Sequence, residues 1–277
     1  MKKLIAMAVV AGITVTAPLA NAANPQADLK DFRDYFYNKF PDTPHDDYIN
    51  GIYSIDAPSR EQWLEIEEFP PYEAAIDRGA EAWGASFANG KSYASCFGDD
   101  VSKIRGRYPY YDKARDEVIT LELAINECRT ANGEKPLKWK RGAIADLSSY
   151  IAFEGRGAKI DVDLSDPGAM KWYERGKEHF YQKRGQLNLS CADCHKASSG
   201  TYVRADRLSP ALGHVSHFPV YRSKWGNMGT LHRRYGGCNA QVRFKPYKAQ
   251  SPEYRALELF HTYMSQDLEW NGPGARK

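Results

Sequence analysis

The sequence predicts a mainly α-helical protein in which two related domains stand in tandem. Two segments place hydrophobic residues at i, i+3 and i+7, the spacing of one face of an α-helix. The chain also matches itself weakly, but in a constant order, over four stretches. With 277 residues and 42% hydrophobic content, it is long enough for two small domains. The composition excludes collagenous, wholly disordered and multi-span membrane proteins.

The first 22 residues are predicted to be a secretory signal peptide cleaved after Ala22. Lys2 and Lys3 precede a short apolar run, and Ala20-Asn21-Ala22 has the small-residue pattern of a cleavage site. The alternative is an N-terminal membrane anchor. Removing 22 of the 277 residues, with two of the 38 basic ones, leaves 255 residues with 36 basic and 35 acidic side chains. We therefore expect a periplasmic protein without a stable membrane anchor and without affinity for nucleic acid.

The mature chain is divided into three parts. Residues 23–71 form an acidic N-terminal extension, and residues 72–155 and 165–277 form the two helical domains. A Gly-Arg-Gly sequence at 155–157 indicates a linker, and an Asp-Pro pair at 166–167 indicates the start of the next helix.

The motif that defines the second domain is Cys-Ala-Asp-Cys-His at residues 191–195, the C-x-x-C-H pattern of c-type haem attachment. Positions i, i+3 and i+4 share one face of a helical turn. The Cys191 and Cys194 thiols can therefore bond the haem vinyl groups while His195 binds iron. The alternative is a redox C-x-x-C pair, which favours a strand–helix–strand context. This domain is predicted to be cytochrome-c-like, with one covalently bound haem c.

The first domain is predicted to share this fold but to be haem-free. In the alignment of the halves, Asp99 and Asp100 occupy the positions of Cys194 and His195, so an attachment thiol and the iron ligand are missing. The matching stretches are 78–81 with 175–178, 95–100 with 190–195, Cys128 to Pro136 with Cys238 to Pro246, and the helix of Ile144, Leu147 and Ile151 with that of Leu257, Phe260 and Met264.

Three cysteines remain once two are bonded to haem, so one of them stays unpaired. The alignment places Cys96 and Cys128 around the position that haem takes in the second half, where they can form a disulfide. Cys238 is then the free thiol, close to the iron. A Cys128–Cys238 disulfide between the domains is the alternative.

Cys238 lies in a basic stretch of the chain. Between residues 207 and 252 there is no Asp or Glu. Positive neighbours lower the pKa of a thiol, and arginines bind oxyanions by forked contacts. The alternative role is a basic rim that docks an acidic redox partner, and both roles can coexist. The cations of this stretch are Arg207, Arg222, Lys224, Arg233, Arg234, Arg243, Lys245 and Lys248.

The sixth iron ligand stays open on residue chemistry alone. A methionine downstream of the attachment motif is the usual ligand, and Met228 and Cys238 are equally favoured. Other candidates are His214, His217 and His232, whereas His45, His179 and His261 are expected to be surface or packing residues.

Together these features resemble the SoxA family, the larger haem subunits of SoxAX cytochrome complexes in bacterial sulfur oxidation. Beside the attachment motif, the stretch Arg-Arg-Tyr-Gly-Gly-Cys-Asn at 233–239 carries the resemblance. It implies an L-cysteine S-thiosulfotransferase that joins thiosulfate oxidatively to a cysteine of the carrier SoxYZ. Electrons would leave through the haem of SoxX, the partner in a heterodimer.

The resemblance also implies roles for individual residues. Cys238 matches the cysteine that ligates the haem iron and is often a persulfide, His195 matches the other axial ligand, and Arg234 matches the substrate-side arginine. The Asp-Asp pair at 99–100 departs from two-haem members and resembles the single-haem branch, in which a disulfide replaces the lost haem. The alternatives are a periplasmic electron carrier with His195/Met228 ligation and a thiosulfate dehydrogenase that needs no carrier.

Overall fold

A computed structural model describes residues 24–276. The predicted signal peptide lies outside these described residues. The fold is mainly helical, as predicted, with short two- and three-stranded sheets. Within residues 24–276, no helix has both the length and the apolar character needed to cross a bilayer.

The elements follow one another in the same order in both halves. A long helix is followed by a short helical turn that carries a cysteine, a β-hairpin and two further helices, and the second half adds one more hairpin and a C-terminal strand. The helices are α1 (Pro25–Lys39), α2 (Ala57–Glu67), α3 (Glu73–Gly84), α4 (Ala94–Phe97), α5 (Leu121–Ala131), α6 (Ala143–Glu154), α7 (Pro167–Tyr181), α8 (Leu231–Gln241) and α9 (Pro252–Tyr263), with 3-10 segments at His45–Ser54, Val101–Lys103 and Arg105–Arg107 and a π-helical turn at Asp193–Ala197. The strands are β1 (Tyr110–Asp112), β2 (Glu117–Ile119), β3 (Tyr202–Val203), β4 (Asp206–Arg207), β5 (Val220–Arg222), β6 (Asn227–Gly229) and β7 (Gly274–Arg276).

Each half is built on one close helix crossing, α3 with α6 and α7 with α9. The matching Arg-Gly pairs of the sequence explain how the helices come so close. A Cβ added to Gly79 would collide with the carbonyl oxygen of Asp146, and one added to Gly176 would collide with the carbonyl oxygen of Ala256. Glycine is therefore required at both crossings because backbone lies directly against it.

Gly176→Ala is expected to destabilise the protein by about 1–3 kcal/mol, since the new methyl group forces α7 and α9 apart. Chemical denaturation of the purified protein measures this loss. The matched control is Gly84→Ala at the end of α3, where an added Cβ meets no atom within 4 Å. Equal stability of both variants would contradict the close crossing.

The first part of the segment before residue 72 packs into the core of the second half. Phe32 and Phe36 of α1 are buried, and Tyr48 of the following 3-10 segment is buried with them. All three belong to the hydrophobic cluster that also holds Tyr173 and Phe260 of the α7–α9 crossing. The acidic residues are the feature of this segment that stands out in the sequence, but its buried aromatic side chains decide how it packs.

The chain between the halves is ordered by pairing with the C-terminal segment. The Gly157 amide donates to the Trp270 carbonyl (2.9 Å), and the Ile160 amide donates to the Leu268 carbonyl (2.8 Å). Beyond this contact, β7 pairs in parallel with β5 of the second half, while β6 pairs with the other edge of β5. The C-terminal strand thereby reaches the candidate site.

Candidate active site

The cysteine-histidine motif occupies a helical turn with a strong N-terminal cap. Ser190 and Asp193 cap each other: the Ser190 amide donates to the Asp193 carboxylate (2.8 Å), and the Asp193 amide donates to Ser190 Oγ (3.0 Å). This reciprocal pattern is that of a capping box with aspartate as the acidic residue. It starts the turn that directs Cys191, Cys194 and His195 toward one pocket.

The orientation of the His195 ring is set by its backbone contact. Nδ1 lies 3.0 Å from the Ser209 carbonyl oxygen, which can only accept, so Nδ1 carries the proton. Nε2 is then the nitrogen with the free lone pair, the form in which histidine binds a metal. The Ala211 amide also donates to the His195 carbonyl (2.8 Å), which fixes the turn against the following loop.

Cys238 faces His195 from α8. Its thiol is not in a disulfide and lies within hydrogen-bonding reach of the His195 imidazole. Arg234 lies one helical turn earlier, and both side chains line the pocket that holds the attachment cysteines. The structure thus brings together the two predicted axial ligands, the two attachment thiols and the predicted substrate-side arginine.

The three free thiols fall into two classes. Burial raises the pKa of Cys191 to about 12 and also raises the pKa of Cys194. Burial would raise the pKa of Cys238 as well, but its charged surroundings, Arg234 foremost, lower that pKa to about 6. Only Cys238 is therefore mostly a thiolate at neutral pH, the form that acts as a nucleophile or as a metal ligand.

The pocket around these groups fits a haem. Its wall combines the thiols and His195 with apolar side chains such as Leu231 and Leu257. Three buried atoms on it have no hydrogen-bond partner: His179 Nε2, His261 Nε2 and Arg184 Nη1. Polar atoms that are buried without a hydrogen-bond partner are rare and costly, so these three nitrogens indicate polar groups at the edge of a bound ligand. The apolar side chains of the wall suit the rest of that ligand. C-x-x-C-H thiols and a neutral imidazole are the donor set of a c-type haem.

Two histidines that the sequence suggested only as surface or packing residues belong to this wall. His179 and His261 are both buried and line the pocket, and burial lowers the pKa of each to about 3, which keeps them neutral. The Tyr235 hydroxyl is hydrogen-bonded to His261 Nδ1 at 2.8 Å. Their positions in α7 and α9 give no sequence signal because the wall forms only when these helices cross.

Among the other candidates for the sixth ligand, only His214 lines this pocket. Met228 is buried in a separate cluster with Tyr72 and Ala275 and does not line the pocket. His232 is buried beside Glu258, with 3.0 Å between Nε2 and the carboxylate. His214 does line the pocket, with its ring centroid 4.5 Å from that of His195, on the same side as the predicted iron ligand.

The basic stretch divides into side chains that face the site and side chains that face solvent. Arg222 is buried and Arg234 is half-buried, and both line a cavity of about 280 Å³ that meets the haem pocket at His195. Arg233 instead stacks on Trp225, 4.0 Å from the ring centroid. Arg243, Lys245 and Lys248 are exposed.

In the first half, Cys96 and Cys128 are joined by a disulfide with an S–S distance of 2.02 Å. The turn that carries Cys96 stops at Gly98, whose φ of +87° ends the helix where the second half continues into Cys194 and His195. Closing a loop over a sequence separation of 32 residues is worth about 4 kcal/mol of stability.

Comparisons with known proteins agree with this site. The SoxA/TsdA cytochrome c domain model matches residues 78–160. The L-cysteine S-thiosulfotransferase subunit SoxA of Allochromatium vinosum is 52% identical and covers 99% of this chain and 98% of its own. The chain belongs to the SoxA family. The SoxA subunit of Chlorobaculum tepidum is 50% identical over the full length of both chains.

A solved structure shares the fold of this SoxA family member. The crystal structure of SoxXA from P. pantotrophus superposes with a TM-score of 0.72 at 31% sequence identity, over 78% of this chain and 84% of that chain. The cytochrome c domain model falls on the first half, which lacks the haem-attachment motif. Family membership therefore rests on both halves, while the candidate chemistry rests on the second.

Proposed function

We propose that the protein is the SoxA subunit of an L-cysteine S-thiosulfotransferase, which couples thiosulfate oxidatively to a cysteine of a sulfur carrier protein. The observation that carries this proposal is the environment of Cys238. It is a thiol with a pKa lowered to about 6, it lies within hydrogen-bonding reach of His195, and it stands one turn from Arg234, which also lines the adjoining cavity with further arginines. A protein that only carries electrons does not need a nucleophilic thiol beside the predicted iron ligand.

Cys191 and Cys194 would hold one covalently bound haem c in the second domain, and His195 and Cys238 would bind its iron. When bound, it supplies a one-electron redox centre beside the reacting sulfur. We propose that the first domain is haem-free and cytochrome-c-like. The support is that residues 72–155 contain no histidine and no methionine, and that both cysteines of this domain are used in the disulfide.

The reaction is a bond exchange at sulfur in two steps. The Cys238 thiolate and the outer sulfur of thiosulfate form a disulfide bond, and two electrons leave to cytochrome acceptors. The carrier thiolate then attacks the sulfur that had belonged to thiosulfate, and the bond to Cys238 breaks. The products are a carrier cysteine S-thiosulfonate and the regenerated Cys238 thiolate. Arg234 holds the negative sulfonate near Cys238 during both steps.

The proposed partners follow from this reaction. Electrons leave through the haem of a SoxX subunit that forms a heterodimer with this chain, and SoxYZ supplies the carrier cysteine. We propose a periplasmic location, supported by the signal-peptide pattern of residues 1–22 and by a disulfide, which persists in oxidising compartments.

Product analysis tests the proposal. The purified heterodimer is incubated with thiosulfate, oxidised cytochrome c and SoxYZ, and the carrier is examined by mass spectrometry. We expect two cytochrome c molecules to be reduced for each thiosulfonate group gained by the carrier cysteine. A carrier in which that cysteine is serine is the control and should support no reaction. Tetrathionate formed without carrier, or electron flow without a sulfur product, would overturn the proposal in favour of a dehydrogenase or an electron carrier.

A further inference from the structure

Two arginines lie side by side on neighbouring strands next to the candidate active site. Arg222 of β5 and Arg276 of β7 are direct partners in the parallel register, so their side chains leave the sheet on the same face. Their exposed fractions are only 9% and 8%. Like charges opposite each other on adjacent strands are destabilising, and burial in a low dielectric increases this cost.

Neither guanidinium has a carboxylate partner within residues 24–276. The nearby carboxylates are engaged with other residues: Asp56 pairs with Arg207 (2.9 Å), Asp206 pairs with Lys224 (3.7 Å), and Glu67 accepts from the Ala275 amide (3.1 Å). Arg276 donates to the carbonyls of Ala275 (2.8 Å) and Asn50 (3.5 Å) and stacks on the ring of Tyr53, but none of these contacts is an ion pair with a carboxylate. Arg222 Nε has no hydrogen-bond partner at all.

Both side chains line the cavity of about 280 Å³ that adjoins the haem pocket. Arg234 lines it as well, and within the described part of the chain it also has no carboxylate partner. His217 on the same wall is buried, and its Nδ1 has no hydrogen-bond partner. Three cations and unsatisfied nitrogens therefore face one space, which opens to solvent past the exposed side chain of Tyr202.

We propose that Arg222 and Arg276 form a subsite for a small oxyanion with two negative charges, of the sulfonate class, beside Cys238. The inference rests on the proposed function and adds to it the residues that bind the charged end of thiosulfate. Two buried cations in register are neutralised best by a dianion that accepts from both guanidiniums. Arg234 then stands between this subsite and the Cys238 thiolate, so that the outer sulfur faces the thiol while the sulfonate is held.

The pKa values of the arginines agree with such a site. Burial and then Arg234 lower the pKa of Arg222 to about 10, and burial lowers the pKa of Arg276. A bound dianion reverses both effects by stabilising the charged guanidiniums. Binding an anion here is expected to stabilise the fold.

The experiment measures binding of thiosulfate and of sulfate to the haem-loaded protein by calorimetry, in wild type and in the Arg276→Gln and Arg222→Gln variants. Each loss of a charged hydrogen-bond donor is expected to weaken binding about 10- to 100-fold. Lys248→Gln removes an exposed cation of the same basic stretch and is the control, with an unchanged Kd.

Thermal unfolding separates a binding role from a structural one. Thiosulfate should raise the melting temperature of wild type, and at the same concentration it should raise the melting temperatures of the two variants little or not at all. Lower melting temperatures for both variants, with wild-type anion affinity, would overturn the subsite. A changed haem reduction potential with unchanged anion affinity would also overturn it, because the arginines would then serve the carboxylates of the porphyrin.

Failure of the subsite and failure of the proposed function would give different experimental outcomes. If the variants bind thiosulfate normally while wild type still forms carrier thiosulfonate, the subsite fails and the function stands. If the variants lose anion binding while wild type modifies no carrier, the subsite stands and the function fails.

Discussion

Replacing Cys238 with alanine should lower the rate of carrier thiosulfonate formation by at least ~10³-fold. The reason is chemical: the two-step exchange requires a sulfur that forms a bond with thiosulfate and later leaves as a thiolate. Cys238 is a free thiol with a lowered pKa, whereas Cys191 and Cys194 would be bonded to the haem and Cys96 and Cys128 are joined in a disulfide. Steady-state assays with SoxYZ and oxidised cytochrome c measure the change.

Two comparisons make this prediction specific. Cys238→Ser keeps the size of the side chain but cannot form the sulfur–sulfur bond, so it should be as inactive as the alanine variant. The double variant Cys96→Ala/Cys128→Ala removes sulfur only from the first half. It should keep its turnover at moderate temperature while losing stability. Wild-type turnover by Cys238→Ala would remove this residue from the mechanism.

The double variant Cys191→Ala/Cys194→Ala should lose all covalently attached haem. Thioether bonds need these two thiols, and the cysteines of the first half are held in their own disulfide. Intact-mass measurement after denaturation should find one haem per wild-type chain and none in the variant. Cys238→Ala, which keeps both attachment thiols, is the control and should retain one covalent haem.

This measurement also tests the haem-free first half. A haem that remains attached in the double variant, or two haems in wild type, would contradict the assignment of a single site. The first half has Gly98 and the Asp99-Asp100 pair where the second half has Asp193 and the Cys194-His195 pair. It therefore offers neither a second attachment thiol nor an imidazole to a haem.

The sequence alone determined those features that depend on short spacings. The C-x-x-C-H turn places three side chains on one face whatever surrounds it, and the capping residues Ser190 and Asp193 lie within the same few positions. The lowered pKa of Cys238 depends strongly on Arg234, one helical turn away. Chemistry set by neighbours along one helix can be predicted before the fold is known.

Only the tertiary structure decided which distant residues share the site. His179 and His261 reach the pocket because α7 crosses α9, and Met228 is kept from it because β6 turns toward a separate cluster. Arg276, 54 positions after Arg222, becomes its partner through the parallel register of β5 and β7. Such juxtapositions depend on long-range packing and strand pairing, whose geometry leaves no periodic pattern in the chain.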